Sequence, residues 1–469
     1  MKSIENSLIV LLLVLVMAQG HSQNPVISQR YTADPTGLEY NGRLYLWASH
    51  DIDGQKRYWM NDITCVSTDD MQNWTDHGEV FKAPDDMPWV TQAWAPSVVE
   101  KNDKFYMYTG DGNRSVNVSV SDSPIGPFKG VGGKPLITKE TPNADVEWLF
   151  DPTVFIDNDG QAYCVFGGGP TKIQADGKRR KNARIIKLGD DLVSTVGEAV
   201  LIDAPGFYEG GYINKRTVNG ITKYYFSYFT NVGTGMNIDY MMSDNPMRGW
   251  EYKGTVLQQP ADNYNNSHAS VFSFKDKWYL GYHTRKTATD RNVDPKIALR
   301  QRSVSVDELF FNDDYTIKEV IPTHEGPKQI KHVNPFEKNE AETMAEQSYL
   351  LPGIETTVCN DVDGGRMITD IESGDWIKVS GVDFKDGAKT FEARVSAQNY
   401  GAIEIRLDNE NGQLIGSCDI APTGGLKVWK TVTCAVKEVK GVHDLYFKFT
   451  GQGADMFNFN WWQFNELNQ

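Results

Sequence analysis

The 469-residue chain is short of the features that mark several large protein classes. Lys and Arg number 47 against 62 Asp and Glu, a net charge of −15, a balance that argues against a nucleic-acid partner. Its five cysteines, Cys65, Cys164, Cys359, Cys418 and Cys434, include no CxxC pair, which removes a zinc knuckle. Their odd number leaves at least one thiol free. Cys418 and Cys434 flank a hairpin-like stretch, where an oxidising compartment would allow a disulfide. Cys164, inside QAYCVF, reads as a core residue. Long apolar runs are missing too: Leu8 to Ala18 is unbroken but only 11 residues long, too short to span a bilayer. Lys2 precedes that run and AQGHSQNP follows it, the layout of a cleaved secretory signal over residues 1–22. A secreted or periplasmic location is expected. With no cysteine at the cleavage point, no lipid or other membrane anchor is expected.

Helical periodicity is absent beyond the signal. Short apolar and aromatic runs punctuated by Gly, Asn and Asp take its place, which indicates a β protein. Apolar residues make up 40% of the chain, enough for a large core, and the length suits two or three domains. One pattern recurs. ADPTGLEYNGRLYLWAS is followed by WAPSVVEKNDKFYMYTG, FDPTVFIDNDGQAYCVF, YEGGYINKRTVNGITKYYFSY and SHASVFSFKDKWYLGYH. Each copy has a small or polar start, a strand, a tight turn and an aromatic strand. The aligned second residues are Asp34, Ala95, Asp151, Glu209 and His268, at spacings of 61, 56, 58 and 59. Five such units predict five four-stranded blades of a β-propeller, whose innermost strands start at one end of a central channel.

The repeat therefore predicts that Asp34, Asp151 and Glu209 converge. Pro35 biases Asp34 toward an extended backbone. A lone Asp-Pro usually caps a turn, but three acids at one repeat position repel each other unless a task holds them there. Glycoside hydrolysis supplies that task, with one carboxylic acid to protonate the leaving oxygen and a carboxylate opposite it. In inverting enzymes the two stand roughly 6.5–9.5 Å apart to admit a water. A third acid raises and holds the proton donor. His268 either faces the channel near a cation or its waters, or is a hydrogen-bonded structural residue.

These segments resemble glycoside hydrolase family 43 from about residue 24 to 325. The resemblance implies an inverting enzyme on arabinose- or xylose-containing glycans, an α-L-arabinofuranosidase or β-xylosidase. Endo-arabinanase, β-1,3-galactanase and a non-catalytic glycan-binding protein are the alternatives. It implies Asp34 as general base, Asp151 as the residue orienting and tuning the acid, and Glu209 as general acid. It also implies His268 beside a calcium or its water. Trp94 either stacks on a sugar at the rim or packs between blades. DGQKRYWMND (53–62) and GPTKIQADGKRRKN (169–182) are candidate loops at the mouth.

Residues 326–339, polar with two prolines, read as a linker. Alternating strands from 340 to 469 predict a jelly-roll β-sandwich. EAETMAEQ, SGDWIKV, PTGGLKVWKTVT and FNFNWWQF resemble a family 6 carbohydrate-binding module. That resemblance implies a cleft lined by Trp429 and Asn458, and a structural calcium near Glu340, Glu342 and Asn460. The stretch TDIESGDW departs from the family by placing Asp370 where a second aromatic often stands, so a sugar there loses one stacking face.

Overall fold

The computed structural model describes residues 24–170, 181–231, 236–348, 353–362 and 364–466. The signal-like segment 1–22 and most of the 169–182 loop lie outside them. Among the described residues no helix is long and apolar enough to cross a membrane.

Five antiparallel sheets follow one another along the chain. Their innermost strands are Thr32–Tyr40, Trp94–Lys101, Thr153–Ile156, Phe207–Val218 and Ala269–Phe274. Each touches the next, and the fifth returns to the first, so the sheets are the blades of a closed five-bladed propeller. Tight turns build the first hairpin of four blades. Asn41–Gly42, Asn102–Asp103, Asn219–Gly220 and Lys275–Asp276 all have positive φ and each is a two-residue connection. That geometry matches the strand twist. Aromatic second strands fill the space between blades; Trp47 is fully buried and its Nε1 donates to the Pro124 carbonyl at 2.9 Å. Cys164 is indeed a core residue.

The fifth blade has three strands, Ala269–Phe274, Lys277–Thr284 and Ser303–Leu309, not the expected four. The N-terminal segment bonds along its outer strand: Val26 N–H donates to the Val304 carbonyl (2.9 Å) and Thr32 N–H to that of Arg302 (2.9 Å). The ring is thus closed by its own beginning. Two short helices, Lys286–Asp290 and Pro295–Ala298, interrupt this blade. The second has Pro295 in its first turn and Asp294 as N-cap, accepting from Lys296 N at 2.8 Å.

The C-terminal part is a β-sandwich. One sheet holds Glu355–Val358, Arg366–Thr369, Phe457–Glu466, Ala388–Ala397 and Trp429–Ala435; the other holds Glu346–Gln347, Trp376–Asp383, Val442–Gly451, Gly401–Leu407 and Gln413–Ile420. Phe391, Phe447, Phe459 and Trp462 fill the layer between them. The 326–339 stretch is bound to both sides. Ile330 N–H donates to the Asp70 carbonyl (3.0 Å), and Gln329 Nε2 reaches Asp70 Oδ2 (3.1 Å) and the Ser380 carbonyl (2.9 Å). Thr343–Met344 then adds a fifth strand to blade 1. Asn73 and Ser380 exchange two hydrogen bonds, of 3.0 and 2.8 Å, so sandwich and propeller share a polar, well-paired seam. Cys418 and Cys434 are both free thiols that hydrogen-bond each other, so the fold brings together the pair for which the sequence allows a disulfide.

Candidate active site

The inner strands of the first, second and fourth blades open on a β-bulge. Asp34, Ala95 and Asp151, each followed by proline, have φ of 53°, 46° and 48°. The expected extended backbone before proline is therefore replaced by a left-handed one. Proline disfavours the right-handed helical region for its predecessor, and the left-handed turn instead throws the side chain toward the axis. In the fourth blade the left-handed residue is Gly210, φ 62°, where a Cβ would come within 3.3 Å of the His268 ring. Register confirms the offset: Glu209 pairs with Phe229 as Ala33 pairs with Ser49 and Trp94 with Gly110. Glu209 thus stands one residue earlier in the repeat than the sequence alignment placed it.

Even so, Asp34, Asp151, Glu209, His268 and Trp94 all line one pocket of about 340 Å³. Asp34, Asp151, Glu209 and His268 are each less than 9% exposed. Arg302 Nη1 donates to Asp34 Oδ1 (2.7 Å) and Ser49 Oγ to Asp34 Oδ2 (3.1 Å). Arg302 is itself clamped by Asp51 through Nε (2.9 Å) and Nη2 (2.8 Å). The Gly210 N–H donates to Asp151 Oδ2 (2.9 Å), and Asn266 Nδ2 to Glu209 Oε1 (3.0 Å). His268 Nδ1 lies 3.6 Å from Asp34 Oδ1 and 3.9 Å from Asp151 Oδ2, beyond hydrogen-bond length.

These surroundings split the carboxylates. Burial pushes Asp34 up, but the Arg302 guanidinium, helped by His283 and His268, outweighs it and holds Asp34 well below its ordinary value. Burial pushes Glu209 up to about 7, with the Asp34 charge adding to it against the Asn266 hydrogen bond. Asp151 is also raised, by burial and then by Glu209 and Asp34. Near neutral pH the site therefore keeps Asp34 ionised and retains a proton on the Asp151–Glu209 pair. Burial lowers His268, which stays a neutral imidazole.

Trp94 is both wall and packing residue: it lines the pocket and its ring centre is 6.4 Å from that of Phe150. Trp148 extends this aromatic wall, edge-on to Phe150 (5.6 Å) and Tyr208 (5.4 Å). Arg302, Asn266, Trp148, Phe150 and Asn113 also line the pocket and were not foreseen. Tyr58 and Met60, which do the same, belong to the 53–62 loop named above. Phe150 and Tyr208 carried a signal, since each directly precedes a catalytic candidate. Arg302 and Asn266 carried none, because they lie outside the repeat.

In the sandwich, Trp429 and Asn458 both pair across strands with Ser396, so they share one face. Trp429 Nε1 donates to Asn360 Oδ1 (2.6 Å). Asn458, 3% exposed, donates to Ser396 Oγ (3.2 Å) and the Leu426 carbonyl (3.1 Å). Glu342 and Asn460 are buried, and Glu342 Oε2 and Asn460 Oδ1 have no hydrogen-bond partner. Burial, with the charges of Glu340 and Asp76, pushes Glu342 up to about 8. Among the described residues no three His, Cys, Asp or Glu side chains form a metal cage.

A propeller whose axis presents an ionised Asp to a proton-holding carboxylate pair has the construction of a glycoside hydrolase. The chain belongs to Glycosyl hydrolases family 43, whose profile matches residues 22–317, and carries a Carbohydrate binding module (family 6) at 340–466. It is a glycoside hydrolase of the arabinofuranosidase/xylosidase type. It is 37% identical to an arabinoxylan arabinofuranohydrolase of Bacillus subtilis over 95% of this chain and 93% of that protein. A crystal structure of a family 43 arabinoxylan arabinofuranohydrolase from that organism, in complex with cellotetraose, superposes with a TM-score of 0.85 at 36% identity, over 95% of this chain and 98% of that one. A β-xylosidase/α-arabinofuranosidase from a compost metagenome, in complex with xylotriose and in a calcium-free form, matches at TM-score 0.52 and 29% identity, covering 64% of this chain and 98% of that one.

Proposed function

We propose that the enzyme removes arabinofuranosyl units from arabinoxylan with inversion at the anomeric carbon. Asp34 accepts a proton from a water as that water attacks the anomeric carbon. Glu209 gives its proton to the departing glycosidic oxygen, and solvent restores both groups. Asp151 stands beside the acid and keeps the shared proton on the pair. The observation that carries this reading is the convergence of Asp34, Asp151 and Glu209 on one pocket, with the Arg302 guanidinium on Asp34 and the Asn266 amide on Glu209. The pocket volume, about 340 Å³, is at the small end of ligand sites and suits a terminal sugar. Trp94 and Trp148 supply its apolar wall. The choice of arabinofuranose over xylose rests on the full-length relative, which is an arabinoxylan arabinofuranohydrolase.

In the sandwich, Trp429 offers a stacking face and Asn458 supports it, so this module holds the enzyme on its polymer. Glu340, Glu342 and Asn460 suit a calcium ion: the two unpartnered buried oxygens are hard donors of the kind that ion takes. Bound there, it would take the place of the proton that burial keeps on Glu342 and tie the start of the sandwich to its last strand. Among the described residues the carboxylates that approach His268 are those of Asp34 and Asp151, so a cation at that ring would be held mainly through water. The domain limits 24–325 and 340–469, and export directed by residues 1–22, complete the proposal.

The test is turnover of arabinoxylan and of a nitrophenyl α-L-arabinofuranoside. Glu209→Gln is expected to lower kcat on arabinoxylan about 10²–10⁴-fold, with less loss on the activated nitrophenyl substrate and unchanged thermal unfolding. Full activity of Glu209→Gln, or equal losses on the two substrates, would overturn the acid assignment.

A further inference from the structure

We propose that His283 and Asn266 form a strut that fixes the base and the acid relative to each other. The inference rests on the roles given to Asp34 and Glu209 above. His283, on the second strand of blade 5, is fully buried and does not line the pocket. Its Nδ1 accepts the Asp34 N–H at 3.3 Å, and its Nε2 lies 3.0 Å from the Asn266 carbonyl. Nδ1 faces the Asp34 N–H and, at 3.4 Å, Asp34 Oδ1, whereas Nε2 faces a carbonyl, so in the neutral ring the proton sits on Nε2. Burial and the nearby Arg302 and Arg285 hold the ring down to about 3, against the pull of Asp34, and it stays neutral.

Asn266 continues the line. Its Oδ1 accepts from Tyr58 Oη (2.8 Å) and Arg285 Nη2 (2.7 Å), and its carbonyl also accepts from Arg285 Nη1 (2.8 Å). With two donors on Oδ1, the amide can turn only its NH₂ toward Glu209, and Nδ2 lies 3.0 Å from Oε1. A continuous path therefore runs from the Asp34 backbone through His283 and Asn266 to the Glu209 carboxyl. Its first bond pins Asp34 in the left-handed conformation, which an L-residue adopts only at a cost. Its last bond favours the ionised form of Glu209. Both are positioning residues.

The experiment compares full-length variants on arabinoxylan across pH. His283→Gln keeps a donor for Asn266 but loses the acceptor for Asp34; His283→Asn does the reverse. Each is expected to lower kcat about 10²-fold with KM little changed. Asn266→Ala is expected to move the basic limb of the pH–rate profile up by about one unit. The double variant His283→Gln/Asn266→Ala should lose less than the product of the single losses, because either break disables the same strut. Wild-type rates in both His283 variants, or losses that multiply, would overturn the strut. If the His283 variants do not fold, an unmoved basic limb in Asn266→Ala overturns it. Asp34→Asn and Glu209→Gln run alongside on arabinoxylan: wild-type activity in those would sink the assignment of base and acid instead.

Discussion

Arg302→Met removes the one cation in contact with Asp34 while keeping an unbranched apolar side chain in its place. Arg302 is 2% exposed and gives one hydrogen bond to Asp34 and two side-chain bonds to Asp51. Its loss strands two buried carboxylates, and breaking a buried pair in this way costs about 3–5 kcal/mol of stability. The pH dependence is more diagnostic. In the wild type the folded value of Asp34 lies below its unfolded value of about 3.9, so its contribution to stability is present above pH 4 and fades as pH falls through the folded value. In Arg302→Met burial is no longer outweighed, and the folded value rises above the unfolded one. That contribution then changes sign: the variant loses stability as pH rises through the unfolded value, because a buried carboxyl must ionise without a partner. The acid limb of kcat/KM on a nitrophenyl arabinofuranoside should move upward with it, each unit corresponding to about 1.4 kcal/mol. An acid limb at the wild-type pH in a folded Arg302→Met variant would refute the claim that this guanidinium keeps the base ionised.

Further expectations follow from other parts of the molecule. Glu342→Gln should abolish any rise in melting temperature caused by calcium; a rise equal to that of the wild type in a calorimetric titration would remove Glu342 from the cation site. Trp429→Ala should weaken retardation of the protein in a gel containing arabinoxylan while leaving hydrolysis of the nitrophenyl substrate unchanged, and undiminished retardation would place polymer binding elsewhere. Asp76, buried at the seam, accepts from Arg30 at 2.7 Å and also bonds Thr356 of the sandwich. Burial raises it, but Arg30 and Arg366 hold it well below its ordinary value, so the seam should weaken as pH falls below about 4. Asp76→Asn should show a smaller loss over that range by calorimetry, and an identical acid profile would contradict the linkage.

What could be read from the residues was what the repeat encodes. Each blade restates a first strand, a turn and an aromatic second strand, so the channel and the acids at its mouth follow from alignment. Tyr58 and Met60 fell within a loop already marked as part of the mouth. The one-residue offset of Glu209 was hidden because Gly210 and Gly211 replace the proline that marks the bulge elsewhere, and the acid reaches the pocket from the preceding position. Arg302, His283 and Asn266 escaped for a different reason. Arg302 follows the helical insertion in blade 5, Asn266 precedes its first strand, and His283 sits within an aromatic second strand as one more buried ring. Closure of the ring brings Arg302 and His283, more than 200 positions away, into contact with Asp34, and Asn266 joins them through His283. The left-handed backbone of Asp34 recurs at Ala95 and Asp151, also before proline, where the preference before proline alone reads as extended. The three-stranded fifth blade also comes from closure of the ring, since the N-terminal segment occupies its outer edge.

The central claim is that Asp34 delivers a water from the face opposite the one on which Glu209 protonates the leaving oxygen. Proton NMR of the first sugar released from an α-L-arabinofuranoside, recorded before mutarotation, tests it most directly. The account predicts the β-anomer as the initial product; the α-anomer as the first species would contradict it.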